Sequence, residues 1–241
     1  MKIVAIIQAR MGSTRLPGKV LKELEGQTVL ARVVTRLRRA RHIDELLVAT
    51  TDRAPDDAIV EECQRYAVPV FRGDQDDVLD RYFRAAQASK AEVVVRITSD
   101  CPLIDPDITD KTIAGLLESR ADYASNSLVR TYPRGLDTEV MRFETLARAR
   151  DEARKPYERE HVTPYIYEHP TKFKVLSVTG EVDHSGYRWT IDTPEDLEFA
   201  RAVYSHFEPD AVFSWRDVVA LLEREPSLIE INRSVMQKAL H

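Results

Sequence analysis

The chain has 241 residues with a formal net charge of −5, and 43% of them are hydrophobic against 31% charged. That length buries a sizeable core, and that balance belongs to a folded globular protein rather than a disordered one. A net acidic chain is a poor match for sequence-independent nucleic-acid binding, which needs broad excess basicity, so nucleic acid is not an expected partner.

Two cysteines, Cys63 and Cys101, stand far apart and form no CxxC. A disulfide scaffold or structural zinc site is therefore not expected, and a reducing compartment fits. The apolar run Ile3–Ile7 meets Arg10 too soon for a signal-peptide core, and no run approaches membrane-spanning length. The expected location is the cytoplasm, with no membrane partner.

Residues 2–8 are a β-branched run, the mark of a strand buried on both faces. Val29, Leu30, Val33, Val34 and Leu37 then fall at helical spacing. Residues 45–51 read as a second buried strand and 55–67 as a helix, with Pro55 at its first position. A short strand over 68–73, a helix over 76–89 and a strand over 91–98 follow. The next helix, 104–119, has Asp105 as its N-cap before Pro106. Alternation of this kind predicts an α/β fold: a mostly parallel, Rossmann-like sheet with helices on both faces and ligands at the carboxyl ends of the strands.

The rhythm breaks near residue 122. Segments 122–127 and 136–142 read as strands, a helix starts at Phe143, and a second helical stretch covers 157–169. Residues 173–180 read as a strand, and 187–207 as strand, turn and helix. One domain over 1–241 is expected, with 125–187 a small α+β elaboration.

The loop after the first strand, "ARMGSTRLPGK" (9–19), concentrates chemistry. It is not a Walker loop: Gly12 and Gly18 are five residues apart, Pro17 intervenes, and Val20 replaces the magnesium-binding hydroxyl. Nor does it contain GxGxxG. Yet Gly12, Ser13 and Thr14 offer donors in a tight turn, and Arg10, Arg15 and Lys19 supply three cations within ten residues. That combination suits a polyphosphate. The plain alternative is a basic surface loop.

Two acids follow. Asp100 lies just beyond the strand ending at Thr98, and Asp192 just beyond the strand expected near 188–191. A pair of carboxylates can hold one Mg²⁺, which otherwise prefers water and phosphate oxygens. The alternatives are a turn-forming Asp100 and an Asp192 that merely precedes a helix capped by Thr193, with Pro194 at N1 and Asp196 at N3.

The motif "QARMGSTRLPGK", the "DCPL" turn at Asp100 and the late "DTPEDL" at Asp192 together resemble the cytidylyltransferases that make CMP-activated acidic sugars. That group includes CMP-sialic acid and CMP-Kdo synthetases. The resemblance is nearest to the branch of spore-coat polysaccharide biosynthesis proteins of the SpsF type, because Gln8 stands where many synthetases have proline. It implies a nucleotide-diphospho-sugar transferase-like fold and a Mg²⁺-dependent transfer of CMP from CTP to an acidic sugar, releasing pyrophosphate.

The resemblance further implies that Arg10, Lys19 and Asp100 are catalytic and that Asp100 and Asp192 hold the metal. Ala9, Arg10, Gly12, Ser13, Arg15 and Lys19 would bind the nucleotide, with Arg72 near the base and Asp77 and Arg81 beside it. For the carboxylate and hydroxyls of the sugar, Arg134, Arg159, His161 and Asn126 are the candidates in the elaborated region, where the family often forms homodimers. A UTP- or GTP-using sugar nucleotidyltransferase, a glycosyltransferase of the same fold and a non-catalytic nucleotide-sensing subunit remain as alternatives.

Overall fold

The computed structural model describes residues 1–208 and 211–238. The first strand, β1 (Ile3–Gln8), leads through the cationic loop and a 3₁₀ turn (Lys19–Leu21) into a hairpin of β2 (Glu23–Leu24) and β3 (Gln27–Thr28). Glu25 and Gly26 carry φ of 46° and 79°, the two left-handed residues that a two-residue hairpin turn requires. The hairpin is absent from the sequence expectations because strands of two residues leave no periodicity.

Helix α1 (Val29–Leu37) is capped by Thr28, whose hydroxyl accepts from Ala31 N, and its apolar residues face the sheet. Then come β4 (Glu45–Thr51), α2 (Asp57–Arg65), β5 (Val70–Gly73), α3 (Val78–Ala88), β6 (Val93–Thr98) and α4 (Pro106–Ser119). Pro55 does not start α2. It sits in a separate 3₁₀ turn, Ala54–Asp56.

The remaining elements are β7 (Tyr123–Ser125), β8 (Glu139–Arg142), α5 (Phe143–Glu152), α6 (Pro156–His161), α7 (Pro164–Tyr167), β9 (Val175–Ser177), α8 (Pro194–Tyr204), α9 (Trp215–Arg224) and α10 (Ser227–Glu230). The helical stretch expected over 157–169 is two helices. Val162 adopts φ 73°, and Pro164, which has no N–H to donate, opens the second. The strand expected just before Asp192 does not form. Arg188 makes a single bridge to Arg134.

Seven strands form one sheet in the order β5-β4-β1-β6-β8-β7-β9. β5, β4, β1 and β6 are parallel, β8 runs antiparallel between β6 and β7, and β9 is parallel to β7. The α/β expectation therefore holds. One face packs against α1, α2 and α4 and the other against α3, α5 and α7, while α8 and α9 gather a third core around Leu16, Leu24 and Trp189. Both cysteines are free and buried. Among the described residues no helix is long and apolar enough to cross a membrane.

Asp105 joins two of these layers. Its Oδ1 accepts from Asp107 N and Ile108 N at the head of α4, and its Oδ2 accepts from Trp215 N at the head of α9, 2.9 Å away. Asp105→Ala removes a cap and strands a buried donor, so unfolding in urea should show a loss of about 2 kcal/mol. An unchanged midpoint and slope would contradict this role.

Candidate active site

The loop after β1 is shaped by its own backbone. Gly18 N and Ser13 N both donate to Met11 O, at 3.1 and 2.9 Å, and Met11 N donates to the buried carboxylate of Asp56 at 2.7 Å. Gly18, at φ 65°, occupies the left-handed region as it caps the turn that begins with Lys19. That geometry sends Lys19 inward, where it is 9% exposed.

Lys19 Nζ donates to Asp100 Oδ2 at 2.7 Å, to Asp192 Oδ1 at 2.8 Å and to the carbonyl of Ile191 at 2.7 Å. All three protons of the ammonium are thereby used. The two acid loops are also tied directly, since Ile191 N donates to Asp100 O at 2.8 Å. The other oxygen of Asp192 meets Arg15 Nη2 at 3.1 Å and Arg188 Nη2 at 2.8 Å. Three cations thus converge on two carboxylates, 81 and more residues distant in sequence from Lys19.

Burial opposes both charges of the Lys19–Asp100 pair, but mutual attraction prevails: Asp100 is held below the usual carboxylate range and Lys19 above the usual lysine range. Thr98 and Cys101 add hydrogen bonds to Asp100. Burial, reinforced by Asp100, pushes the Cys101 thiol well up, so it stays protonated and is no nucleophile.

Asp192 does not follow a strand, and it directly precedes a capped helix. Thr193 Oγ1 accepts from Asp196 N, and Asp196 Oδ2 accepts from Thr193 N and Asp192 N. The cap of α8 therefore fixes the backbone while the Asp192 carboxylate faces Lys19.

A cavity of about 160 Å³ opens at the start of the loop, lined by Arg10, Gly12, Thr51, Arg53, Pro55, Asp56 and Gln75. Ala9 lies buried beside it, with its N–H bonded to Ala49 O. Ser13 folds back on the loop, accepting from Leu16 N through its hydroxyl at 3.4 Å.

Arg72 and Arg81 are both engaged by the protein itself. Arg72 donates to the carbonyls of Thr51 and Arg53 and to Asp57, so it braces the cavity wall rather than lining it. Arg81 is fully buried beneath Gly73 and donates through Nη1 to Asp74 O at 2.7 Å, while its Nε and Nη2 have no partner among the described residues. Burial pushes its guanidinium pKa down. Asp77 caps α3 and pairs with Arg159 of α6.

That pair lies in a wider, open hollow of about 620 Å³ between α3, α5 and α6, lined also by Asp80, Arg84 and Arg150. Its acids and bases are largely paired with one another, and none belongs to the Lys19 cluster. Asp77 and Arg159 therefore sit with each other and not with Lys19. His161 ends α6, on the same short helix as Arg159.

Asn126 is engaged in the same way. It is buried, donating to Leu136 O at 2.7 Å and accepting from Thr138 N at 2.8 Å, which makes it a brace of its own loop. Arg134, by contrast, comes to the cluster. Gly135 permits this: at φ 109°, an added Cβ would lie 2.6 Å from the backbone carbon of Trp189. Arg134 N donates to Tyr187 O, and Trp189 N to Arg134 O. The Arg134 guanidinium is half-buried, and burial together with Arg130 and Arg188 pushes its pKa down.

Arg188 and Asp196 are the members that the sequence expectations lacked as a pair. Arg188 lies four residues before Asp192 in a non-helical segment, where spacing alone gives no facing relation.

The fit of a hard dication rests on this donor set. Asp100 and Asp192 lie within the span of one ammonium group, and Asp100 Oδ1 meets the weak thiol donor of Cys101 at 3.5 Å. Among the described residues no group of three or more His, Cys, Asp or Glu could hold a metal. A dication here would complete its shell from phosphate and water, the habit of Mg²⁺.

A cationic loop at the carboxyl edge of a mostly parallel sheet, facing two acids, is the arrangement of a nucleotidyltransferase. A family model described as Cytidylyltransferase matches residues 4–216, and the chain belongs to that family. It is 41% identical over 241 residues to an uncharacterized protein of Methanocaldococcus jannaschii, covering 99% of this chain and 98% of that one. It is 36% identical over 231 residues to the spore coat polysaccharide biosynthesis protein SpsF of Bacillus subtilis, covering 93% and 95%.

Among solved structures, a cytidylyltransferase from Leptospira borgpetersenii superposes with a TM-score of 0.91 at 37% identity, over 99% of this chain and 100% of that one. A CMP:2-keto-3-deoxy-manno-octonic acid synthetase complexed with CTP shares the fold, with a TM-score of 0.65 at 19% identity over 86% and 99%.

The Lys19–Asp100 pair sets a pH dependence. Asp100, held low, contributes stability that is complete above the ordinary value of 3.8 and lost as pH falls through its lowered value. Lys19, held high, contributes stability that is complete below 10.5 and lost as pH rises through its raised value. Lys19→Met should move the Asp100 titration upward when followed by carboxyl ¹³C NMR, because burial then acts unopposed. A titration that stays below the ordinary range would remove Lys19 as the cause.

Proposed function

We propose that this cytidylyltransferase transfers CMP from CTP to the hydroxyl of a carboxylated sugar, releasing pyrophosphate, with Mg²⁺ held by Asp100 and Asp192. The observation that carries the reading is Lys19 bridging those two carboxylates at the end of β6. When bound, the dication would offset charge on the phosphates as pyrophosphate departs.

The roles of the chain's own residues follow from which contacts can exchange. The Arg15 side chain is 36% exposed, and its one ion pair is to Asp192. A triphosphate offers Arg15 and Lys19 better partners than a shared carboxylate, since charge-assisted bonds to phosphate are strong and multiple. Arg10 and the open backbone at Gly12 would grip further phosphate oxygens, and the cavity bounded by Thr51, Asp56 and Gln75 would receive the base. Catalysis then rests on positioning for in-line attack and on fixed positive charge around the leaving group.

Residues 125–187 are assigned to the acceptor. Support comes from Arg134, a cation that comes within electrostatic reach of Asp192 and Arg188. A guanidinium suits the planar geometry of a carboxylate. The identity of SpsF and the CTP complex of a fold relative support the sugar and the nucleotide.

Calorimetric titration with CTP, UTP, GTP and ATP, each with and without Mg²⁺, tests the reading. CTP should bind preferentially and more tightly with Mg²⁺, and a panel of acidic sugars should then yield pyrophosphate. Asp100→Ala and Lys19→Ala should each cut pyrophosphate release at least about 100-fold. Preference for UTP or GTP would discard the CMP product, and full turnover in Asp100→Ala would discard the metal assignment.

A further inference from the structure

Three cations approach Asp192, but they are held differently. Arg15 is exposed and has no other ion pair. Lys19 is shared with Asp100. Arg188 is 11% exposed and anchored from behind: Nε and Nη2 donate to Asp196 Oδ1 and Oδ2 at 2.8 and 2.9 Å, a bidentate pair with a carboxylate of 0% exposure.

Asp196 is itself pinned. It caps α8 through Asp192 N and Thr193 N, and the buried Asn232 donates to its Oδ1 at 3.0 Å and to the Arg188 carbonyl at 2.9 Å. Arg188 Nη1 also reaches Gln237 Oε1 at 2.6 Å. The guanidinium therefore cannot turn away when a ligand arrives, whereas Arg15 can.

We propose that Arg188 is a positioning residue: seated on Asp196 and Asn232, it grips Asp192 Oδ2 and aims Oδ1 at the point where Lys19 Nζ now lies. This rests on the proposed Mg²⁺–CTP reading of the same site. As Lys19 and Arg15 pass to phosphate, Arg188 alone keeps the Asp192 carboxylate from rotating out of reach of the dication. Partners of this kind behind a metal-binding carboxylate fix its direction, and their loss typically weakens metal-dependent binding 10- to 100-fold. Arg188 touches neither the phosphates nor the sugar in this scheme.

The test is calorimetry of CTP with the full-length Arg188→Gln and Arg188→Lys proteins, each at zero Mg²⁺ and across a Mg²⁺ series. Circular dichroism melting establishes that each is folded. Arg188→Gln should lose about tenfold or more of the affinity gained through Mg²⁺ and raise the Mg²⁺ midpoint by a similar factor, with the loss confined to the Mg²⁺ arm. Arg188→Lys keeps the charge and serves if the glutamine variant does not fold. An ammonium lacks the planar fork that spans both oxygens of Asp196 while reaching Asp192 Oδ2, so a loss of several-fold should persist.

Equal losses with and without Mg²⁺ would make Arg188 a phosphate contact and overturn the proposal. So would wild-type Mg²⁺ dependence in either folded variant. If the wild-type protein itself shows no Mg²⁺-dependent CTP binding, the proposed function falls and this inference with it. If wild type shows that dependence and the variants match it, only this inference falls.

Discussion

Everything at the carboxyl edge of the sheet depends on Lys19 standing between Asp100 and Asp192. An ammonium that is 9% exposed is costly to desolvate, and it is tolerated only because three acceptors receive its three protons. Two of those acceptors come from residues 191 and 192, and the third from the turn after β6. The interaction closes the late segment onto the first loop, and with it α8 and the core around Trp189 and Leu16.

A second buried charge pair marks where the sheet changes direction. Arg96 of β6 pairs with Glu139 at the start of antiparallel β8, and burial is outweighed by Glu139 so that the arginine is held more basic than usual. Glu139 Oε1 also accepts from Tyr123 Oη at 2.5 Å and Thr163 Oγ1 at 2.6 Å, while Arg96 Nη2 donates to Gln8 Oε1 at 3.2 Å. The network joins β1, β6, β7 and β8 to the segment before α7. An ion pair this deep is weak evidence for stability, but loss of one partner leaves an uncompensated charge that costs about 3–5 kcal/mol. Gln8, at the end of β1, is thus held by the same network that anchors β7 and β8.

The first half of the fold was legible because its signals are local. β1, β4 and β6 are short runs rich in β-branched and apolar residues, and Asp105 is a cap with its side chain bonded where a cap should bond. Loop chemistry was legible for the same reason: Arg10, Arg15 and Lys19 stand close in sequence. What could not be read was set by long-range geometry. Arg72 looked like a ligand contact because its type and position fit, but its donors answer the carbonyls of Thr51 and Arg53, which only the pairing of β4 with β5 brings near. Asn126 is likewise taken up by a loop that closes over ten residues later.

The segment before Asp192 shows how one residue decides such a case. Residues 188–191 have the β-branched and aromatic character of a strand, yet they make only one bridge. The partner segment carries Gly135, where an added Cβ would lie 2.6 Å from the backbone carbon of Trp189, so only a residue without Cβ allows this approach. A paired strand would have continued the ladder past Arg134 and turned Arg188 and Thr190 to one face and Trp189 and Ile191 to the other. Contact at a single bridge instead frees the backbone to bend, so that Trp189 and Ile191 enter the core while the Ile191 carbonyl and the Asp192 carboxylate both reach Lys19. The site is built where regular structure stops, because a continuing strand would have sent its carbonyls into the ladder and left the ammonium of Lys19 one acceptor short.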